Sequence, residues 1–306
     1  MFRGRQFDFM GTRRIWFGAS LGLIAISVIA LATIGLNLGI DFTGGMLLDL
    51  SFEQPVTAAG VRAALEPFGL GGAMVQMVGE DARNVLVRTS PIDELTRNRV
   101  FAGLRERLGE FSTVAVDVVS PIIGRELLDA SLLALGLAAI GMIAYIALRF
   151  EWRFGITGVL CLLHDVALVL GASSLLRLDV SAPFVAAVLT VVGYSINATI
   201  IVYDRVREHL KDWRKEGLPA VVNRSIQQSL PRCVNTSGTT LVALAAIYFF
   251  GGKTTQDFAL ALIIGIGVGT YSSIFLASPL WCSWRERDER NRQARRTQKA
   301  VPARSR

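Results

Sequence analysis

The chain has little cysteine, little histidine and little charge. Cys161, Cys233 and Cys282 are its three cysteines, and His164 and His209 its two histidines. The cysteines fall in or beside apolar runs, and none lies in the one long hydrophilic segment, so no disulfide framework is expected there. There is no CxxC pair and no Cys/His cluster, so no metal site is expected. No glycine-rich phosphate loop follows a strand pattern, which argues against ATP hydrolysis. Charged residues make up 19% of the chain and hydrophobic residues 52%. A soluble globule of this length carries more charge. Nothing in the sequence calls for a cofactor.

What the chain does have is long apolar runs. A helix crossing a bilayer needs about 20 mostly apolar residues. Six runs are read as spans, at 16–38, 127–148, 154–176, 183–203, 233–250 and 258–282. The first is too long for a signal-peptide core and lacks a small-residue cleavage pattern, so it reads as a retained helix. Lys and Arg in the connecting segments set the orientation. Arg3, Arg5, Arg13 and Arg14 precede the first span, and Arg149 and Arg153 flank the turn after the second. The 204–232 segment and the tail after Trp284 are also strongly basic. With six spans these four segments share one side, which is expected to be cytoplasmic. The net charge of +7 is then a product of topology, and no nucleic-acid partner is expected.

This divides the chain into four parts. Residues 1–38 are a cytoplasmic N-terminus and first span, and 39–126 an external domain in a periplasm-like space. Residues 127–284 form a five-helix membrane block with a cytoplasmic loop at 204–232, of which 204–217 reads as a helix. Residues 285–306 are a basic tail, expected to be disordered or to lie on anionic lipid or another acidic partner.

In the external segment, Met46 to Phe52 alternates as a strand does. Thr57 can cap a helix reaching Phe68, and Gly69 to Gly72 breaks the chain after it. Met74 to Val78 and Val85 to Arg88 read as two strands, a helix opens at Pro91 and Asp93 and ends near Gly109, and Ser112 to Val119 is a last strand. The order is β-α-β-β-α-β, so the expected fold class is a six-helix α-helical membrane protein with a ferredoxin-like α+β domain. That fold alone says little about function.

Polar groups inside a bilayer are costly, so each needs a reason. Asp165, beside His164, sits well inside the third span. It reads either as a proton-relay or gating carboxylate or as a structural acid bonded to a neighbouring helix. On the fourth span Gly193, Asn197, Ile201 and Asp204 share one stripe. Gly193 suggests close helix packing, while Asn197 is a candidate for function. Asp204 and Arg205 fall at the cytoplasmic interface, as a solvated pair or as a loop anchor. Arg232 opens the fifth span, with Thr236 and Thr240 following on one polar face. Arg232 either modulates a carboxylate across a helix interface or snorkels to the headgroups. Ala261, Gly265, Gly269 and Ser273 place a small residue at every fourth position of the sixth span, a packing face. An intramembrane serine protease is the rival reading. It fails because Gly193-Tyr194-Ser195-Ile196-Asn197 lacks the second glycine of a nucleophile elbow, so no enzyme activity is expected.

The run Gly39-Ile40-Asp41-Phe42-Thr43-Gly44-Gly45, just past the first span, carries a more specific message. Its glycines permit a tight exit from the membrane into the first strand, and Asp41 can cap or bond that turn. The run resembles the signature of the SecF family. Ser120-Pro-Ile-Ile-Gly-Arg-Glu-Leu127, Leu162-Leu-His-Asp-Val166, Val192-Gly-Tyr-Ser-Ile-Asn197 and Tyr203-Asp-Arg-Val-Arg-Glu208 resemble further family stretches, in order and across nearly the whole chain. The resemblance implies a bacterial inner-membrane protein with both termini in the cytoplasm. It implies pairing with SecD as a heterodimer and association with the SecYEG channel, with YajC and YidC as further candidate partners. The pair would use the proton-motive force to help complete preprotein translocation, with protons, lipids and the translocating chain as its contacts.

One position departs from the family pattern. SecF proteins usually carry an acid where this chain has Ala198, in Ser195-Ile196-Asn197-Ala198-Thr199. Arg232, matching the family's arginine, then lacks its usual partner. Three explanations stay open: an engineered substitution, a proton site elsewhere (Asp165 or the SecD chain), or a coupling-deficient relative. Two other functions remain in view, an RND-like exporter of lipids or small molecules and a proton-uncoupled scaffold or insertion helper.

Overall fold

The computed structural model describes residues 7–79, 81–149, 151–251 and 253–300. Arg3 and Arg5 of the expected basic N-terminus, and the last six residues of the tail, lie outside the described residues. The chain separates into two compact units, one built from Met1–Asn37, Leu135–Leu178 and Pro183–Arg306, the other from Leu38–Ala134 with Asp179–Ala182.

Among the described residues, six helices are long and apolar enough to cross a membrane: Arg13–Thr33, Pro121–Ile146, Trp152–Leu176, Ala182–Glu216, Leu218–Phe250 and Thr255–Ala294. The chain is therefore a multi-pass membrane protein. Several expected boundaries move. The second span starts at Pro121 instead of residue 127. The fifth starts at Leu218 instead of residue 233, so Arg232 lies within a helix and not at its edge. Leu218, Val221, Val222, Ser225, Ile226 and Ser229 bury one face of that early stretch. Their helical spacing was masked by the polar residues between them, Asn223, Arg224, Gln227 and Gln228. The expected loop 204–232 is accordingly mostly helical: the fourth span continues to His209, and a short helix covers Trp213–Glu216.

The sixth span runs Lys253–Ser272, passes through a π-helical turn at Ser273–Ala277, and continues as a helix over Ser278–Ala300. The tail is thus helical as far as it is described, against the expected disorder. Its residues are good helix formers, and Arg285 pairs with Glu289 at 3.5 Å across one turn. Toward the basic end of this unit, Phe154 stacks on Trp281 with centroids 4.3 Å apart and planes 9° apart.

The smaller unit holds a four-stranded sheet: β1 (Gly45–Phe52), β2 (Met74–Val78), β3 (Asn84–Thr89) and β4 (Phe111–Val119). One helix, Ala58–Leu65, lies between β1 and β2, and another, Glu94–Leu108, between β3 and β4. The sheet order is β2-β3-β1-β4, with every neighbouring pair antiparallel. Met46, Leu48, Leu50 and Phe52 project from one face of β1 into a core with Val61, Leu65, Val85, Val87, Val100 and Leu104. Alternation at period two puts them all on one side of the sheet. Thr57 caps the first helix by accepting the backbone N–H of Gly60 at 3.1 Å.

Candidate functional site

Two places carry the polar residues that the sequence singles out. The first is the run from Gly39 to Gly45. Ile40–Thr43 forms one helical turn, with Ile40 and Phe42 buried. Gly44 adopts φ +69°, and a Cβ there would lie 2.6 Å from the Pro121 backbone. Gly45 adopts φ +142° with the Thr89 carbonyl 2.7 Å from the same position. Both conditions exclude a side chain. A Cβ on Gly39 would meet Asp179 at 2.9 Å. Asp41 was expected to bond its own turn. Its Oδ2 instead accepts the backbone N–H of Ala182 at 2.9 Å, satisfying a free donor at a helix start.

The second place is mid-bundle. Asp165 has no exposed surface. Its Oδ2 accepts hydroxyls from Ser195 of the fourth span at 2.5 Å and Ser272 of the sixth at 2.7 Å. Its Oδ1 lies 2.8 Å from His164 Nδ1. An ionised Asp165 takes a proton in hydrogen bond from that nitrogen, and a protonated one gives its own, so the pair can hold one shared proton. His164 is 7% exposed, and its Nε2 has no hydrogen-bond partner among the described residues. Leaving such a group unpaired in a bundle is costly. The π turn follows Ser272 directly, and such turns recur at functional positions. Gly269 lets the sixth span approach, since a Cβ there would sit 2.9 Å from that of Ser195, and Gly265 faces Cγ2 of Val191 still more closely.

The other expected residues are not gathered here. Asn197, Arg232 and Thr236 are exposed on the surface of this chain. The side chains of Asn197 and Arg232 make no hydrogen bond or ion pair among the described residues. Thr236 contributes its carbonyl, which accepts the hydroxyls of Thr239 and Thr240. Ala198 is 8% exposed. The close packing expected at Gly193 is not found within this chain: a Cβ there would meet nothing within 4 Å, because its stripe turns outward with Asn197. Asp204 and Arg205 do not pair with each other. Asp204 meets Arg149 at 3.4 Å and Arg205 meets Glu208 at 2.7 Å, both at exposed positions.

Sequence reasoning missed Ser272 altogether and met Ser195 only within family stretches and in rejecting a protease, never as a partner of Asp165. A signal existed, since Ser195 and Thr199 lie one turn apart and Ser272-Ser273 interrupts an apolar run. The two pairs meet in space, with Thr199 Oγ1 2.9 Å from Ser273 Oγ.

Comparison with known proteins gives the family. A family model described as protein export membrane protein SecD/SecF, C-terminal, matches residues 101–287, and the SecD/SecF GG motif matches 29–56. A protein translocase subunit SecF from Desulfurispirillum indicum is 41% identical over 289 residues, covering 91% of this chain and 92% of its own. One from Vibrio alginolyticus is 42% identical over 282 residues, covering 90% and 89%. The crystal structure of SecDF from Thermus thermophilus, a translocon-associated membrane protein, matches with TM-score 0.83 and 40% identity over 94% of this chain, which spans 40% of that longer one. The GG motif falls on the glycines pinched against Pro121 and Thr89, and the larger match takes in the spans that enclose Asp165: the chain belongs to the SecF family of protein translocase subunits.

Proposed function

We propose that this chain is the SecF half of a SecD–SecF pair that draws on the proton-motive force to complete preprotein translocation. The observation that carries the proton coupling is the fully buried Asp165, bonded to His164 and to hydroxyls from two other spans. A carboxylate without surrounding water gains or loses its proton at a cost that its hydrogen bonds tune, as a relay or gate requires. Ala198 removes the family's usual acid from the fourth span, and Asp165 takes over its task. Arg232, Asn197 and Thr236 lie exposed on neighbouring spans, and a covering SecD subunit accounts for such polar groups on a membrane face.

The strands and helices of residues 45–119 are ferredoxin-like and lie outside the inner membrane, and both termini of the chain lie in the cytoplasm. The β2-β3-β1-β4 order with antiparallel neighbours supports the fold, and the basic connections support the orientation. SecYEG is the channel the chain serves, with YajC and YidC as further partners. The chain acts without catalytic chemistry of its own.

A second reading, a scaffold uncoupled from protons, is favoured by Ala198 and by the absence of an acid opposite Arg232 among the described residues. Cells depleted of their own SecF and complemented with this chain or its Ala198→Asp form separate the two. Export slowed by an uncoupler to the same degree with either form supports coupling through Asp165. Export by this chain that ignores the uncoupler supports the scaffold.

A further inference from the structure

We propose that this chain contains its own proton wire, running from the basic end of the bundle to Asp165 along buried faces of the third, fourth and sixth spans. The inference rests on the proton coupling proposed above and adds its route. On the third span Arg153, Thr157, Cys161 and Asp165 recur every fourth residue, and on the fourth span Ser195, Thr199 and Tyr203 do the same. That spacing aligns each set on one helix face. Apart from Arg153, none of them is more than 3% exposed.

The two stripes join in successive rungs. At the basic end Arg153 Nη2 meets Asp288 Oδ2 at 2.7 Å. Next inward, Thr157 Oγ1 and Tyr203 Oη are 2.8 Å apart. The Thr199–Ser273 pair follows at 2.9 Å, with Ser273 Oγ also 3.3 Å from the Ser195 carbonyl. The last rung is Ser195, Ser272 and Asp165 itself. Neighbouring rungs are one helical turn apart, about 6 Å, which one bridging water can span.

Two further buried polar atoms lie on the sixth span towards its basic end. Ser278 Oγ and Trp281 Nε1 are buried and have no hydrogen-bond partner among the described residues. They follow the Ser273 rung in sequence, and the Trp281 ring stacks on Phe154, which in turn packs on Tyr203 at 4.7 Å. Buried polar atoms of this kind are satisfied by ordered water in protein interiors. The hydroxyls can also switch partners. Thr157 Oγ1 lies 2.9 Å from the Arg153 carbonyl, and Ser273 Oγ 2.7 Å from that of Gly269. Each hydroxyl or water accepts one proton and releases another, so one proton reaches the Asp165–His164 pair and no bond between heavy atoms changes. The titratable groups near Asp165 are His164, bonded to it, and Cys161 one turn closer to the basic end.

The test is infrared spectroscopy of the full chain in lipid nanodiscs. The carboxylic C=O band of protonated Asp165, identified by its loss in Asp165→Asn, is followed after transfer into D2O. Thr199→Val and Tyr203→Phe are expected to slow its isotope shift about tenfold, the rate equivalent of losing one hydrogen-bonded step. Ser237→Ala, which breaks a 2.6 Å contact with Thr270 Oγ1 away from the column, is expected to leave the rate unchanged. The amide bands of the same spectra report folding, and Tyr203→Phe carries the test if Thr199→Val does not fold. Unchanged rates in the column variants, or no band lost in Asp165→Asn, overturn the wire. Export assays on the same variants keep the two readings apart. Uncoupler-insensitive export by the unchanged chain overturns proton coupling itself, whereas full uncoupler-sensitive export by both column variants overturns the wire alone.

Discussion

Asp165 shows what a single position can and cannot reveal. A carboxylate well inside an apolar run marks itself as costly, and the sequence alone picks it out. Its partners were not legible, because Ser195 and Ser272 lie far from it in sequence and only the packing of three helices brings their hydroxyls to Oδ2. The exposure of Arg232 and Asn197 was equally hidden, since helical spacing gives a stripe but not what the stripe faces. The glycines are easier to read, and they yield predictions of their own. Gly269→Leu places a branched side chain where a Cβ alone comes within 2.9 Å of Ser195. Overpacking of this kind costs about 1–3 kcal/mol, so the thermal unfolding midpoint of the full chain should fall. Gly193→Ala, in a helix interior with open space around it in this chain, is expected to raise that midpoint slightly, since Ala favours a helix over Gly by about 1 kcal/mol.

Among the elements, the strands of the smaller unit were legible nearly to the residue, because alternation and turn glycines fix them together. Met74–Val78 falls where the sequence reading placed it, and β1 gains only Gly45 at its start. Membrane helices were legible in number but not in length: polar residues such as Asn223, Gln227 and Gln228 conceal the amphipathic extension 218–232, whose inner face is nonetheless buried. Thr57→Ala removes the cap on the first helix of the smaller unit and should cost about 1 kcal/mol, seen as faster hydrogen exchange over Ala58–Leu65. Near the N-terminus, Asp8 accepts the Gly11 N–H at 2.9 Å and the Asn223 amide at 2.7 Å. The Gly11 backbone bond first, then Asn223, holds its carboxyl below the usual range. A lowered folded pKa means that this clasp contributes fully above the unfolded value, about 3.9, and is lost as pH falls through the folded one. Protection of the Met10 amide, which bonds Asn223 Oδ1, should therefore persist at mildly acidic pH and vanish in strong acid.

For the molecule as a whole, the six spans and their basic flanks make topology the most accessible claim. Reporter fusions after residue 110 and after residue 300 are expected to read external and cytoplasmic respectively, and any other pairing contradicts the proposed orientation. Within the second span, Pro121–Ile146, the apolar 18-residue window contains no buried residue. Lipid or a partner must cover it. Co-expressed SecD is accordingly expected to raise the unfolding midpoint of this chain, since a partner that binds only the folded form stabilises it.

The most direct measurement is pulse-chase release of a secreted protein from cells depleted of their own SecF and supplied with this chain or its Asp165→Asn form, each with and without an uncoupler. Coupling through Asp165 predicts that the unchanged chain exports quickly until the uncoupler is added, while the Asp165→Asn form exports at the slow rate in both conditions. An Asp165→Asn form that exports as quickly as the unchanged chain, and slows as much with uncoupler, contradicts it.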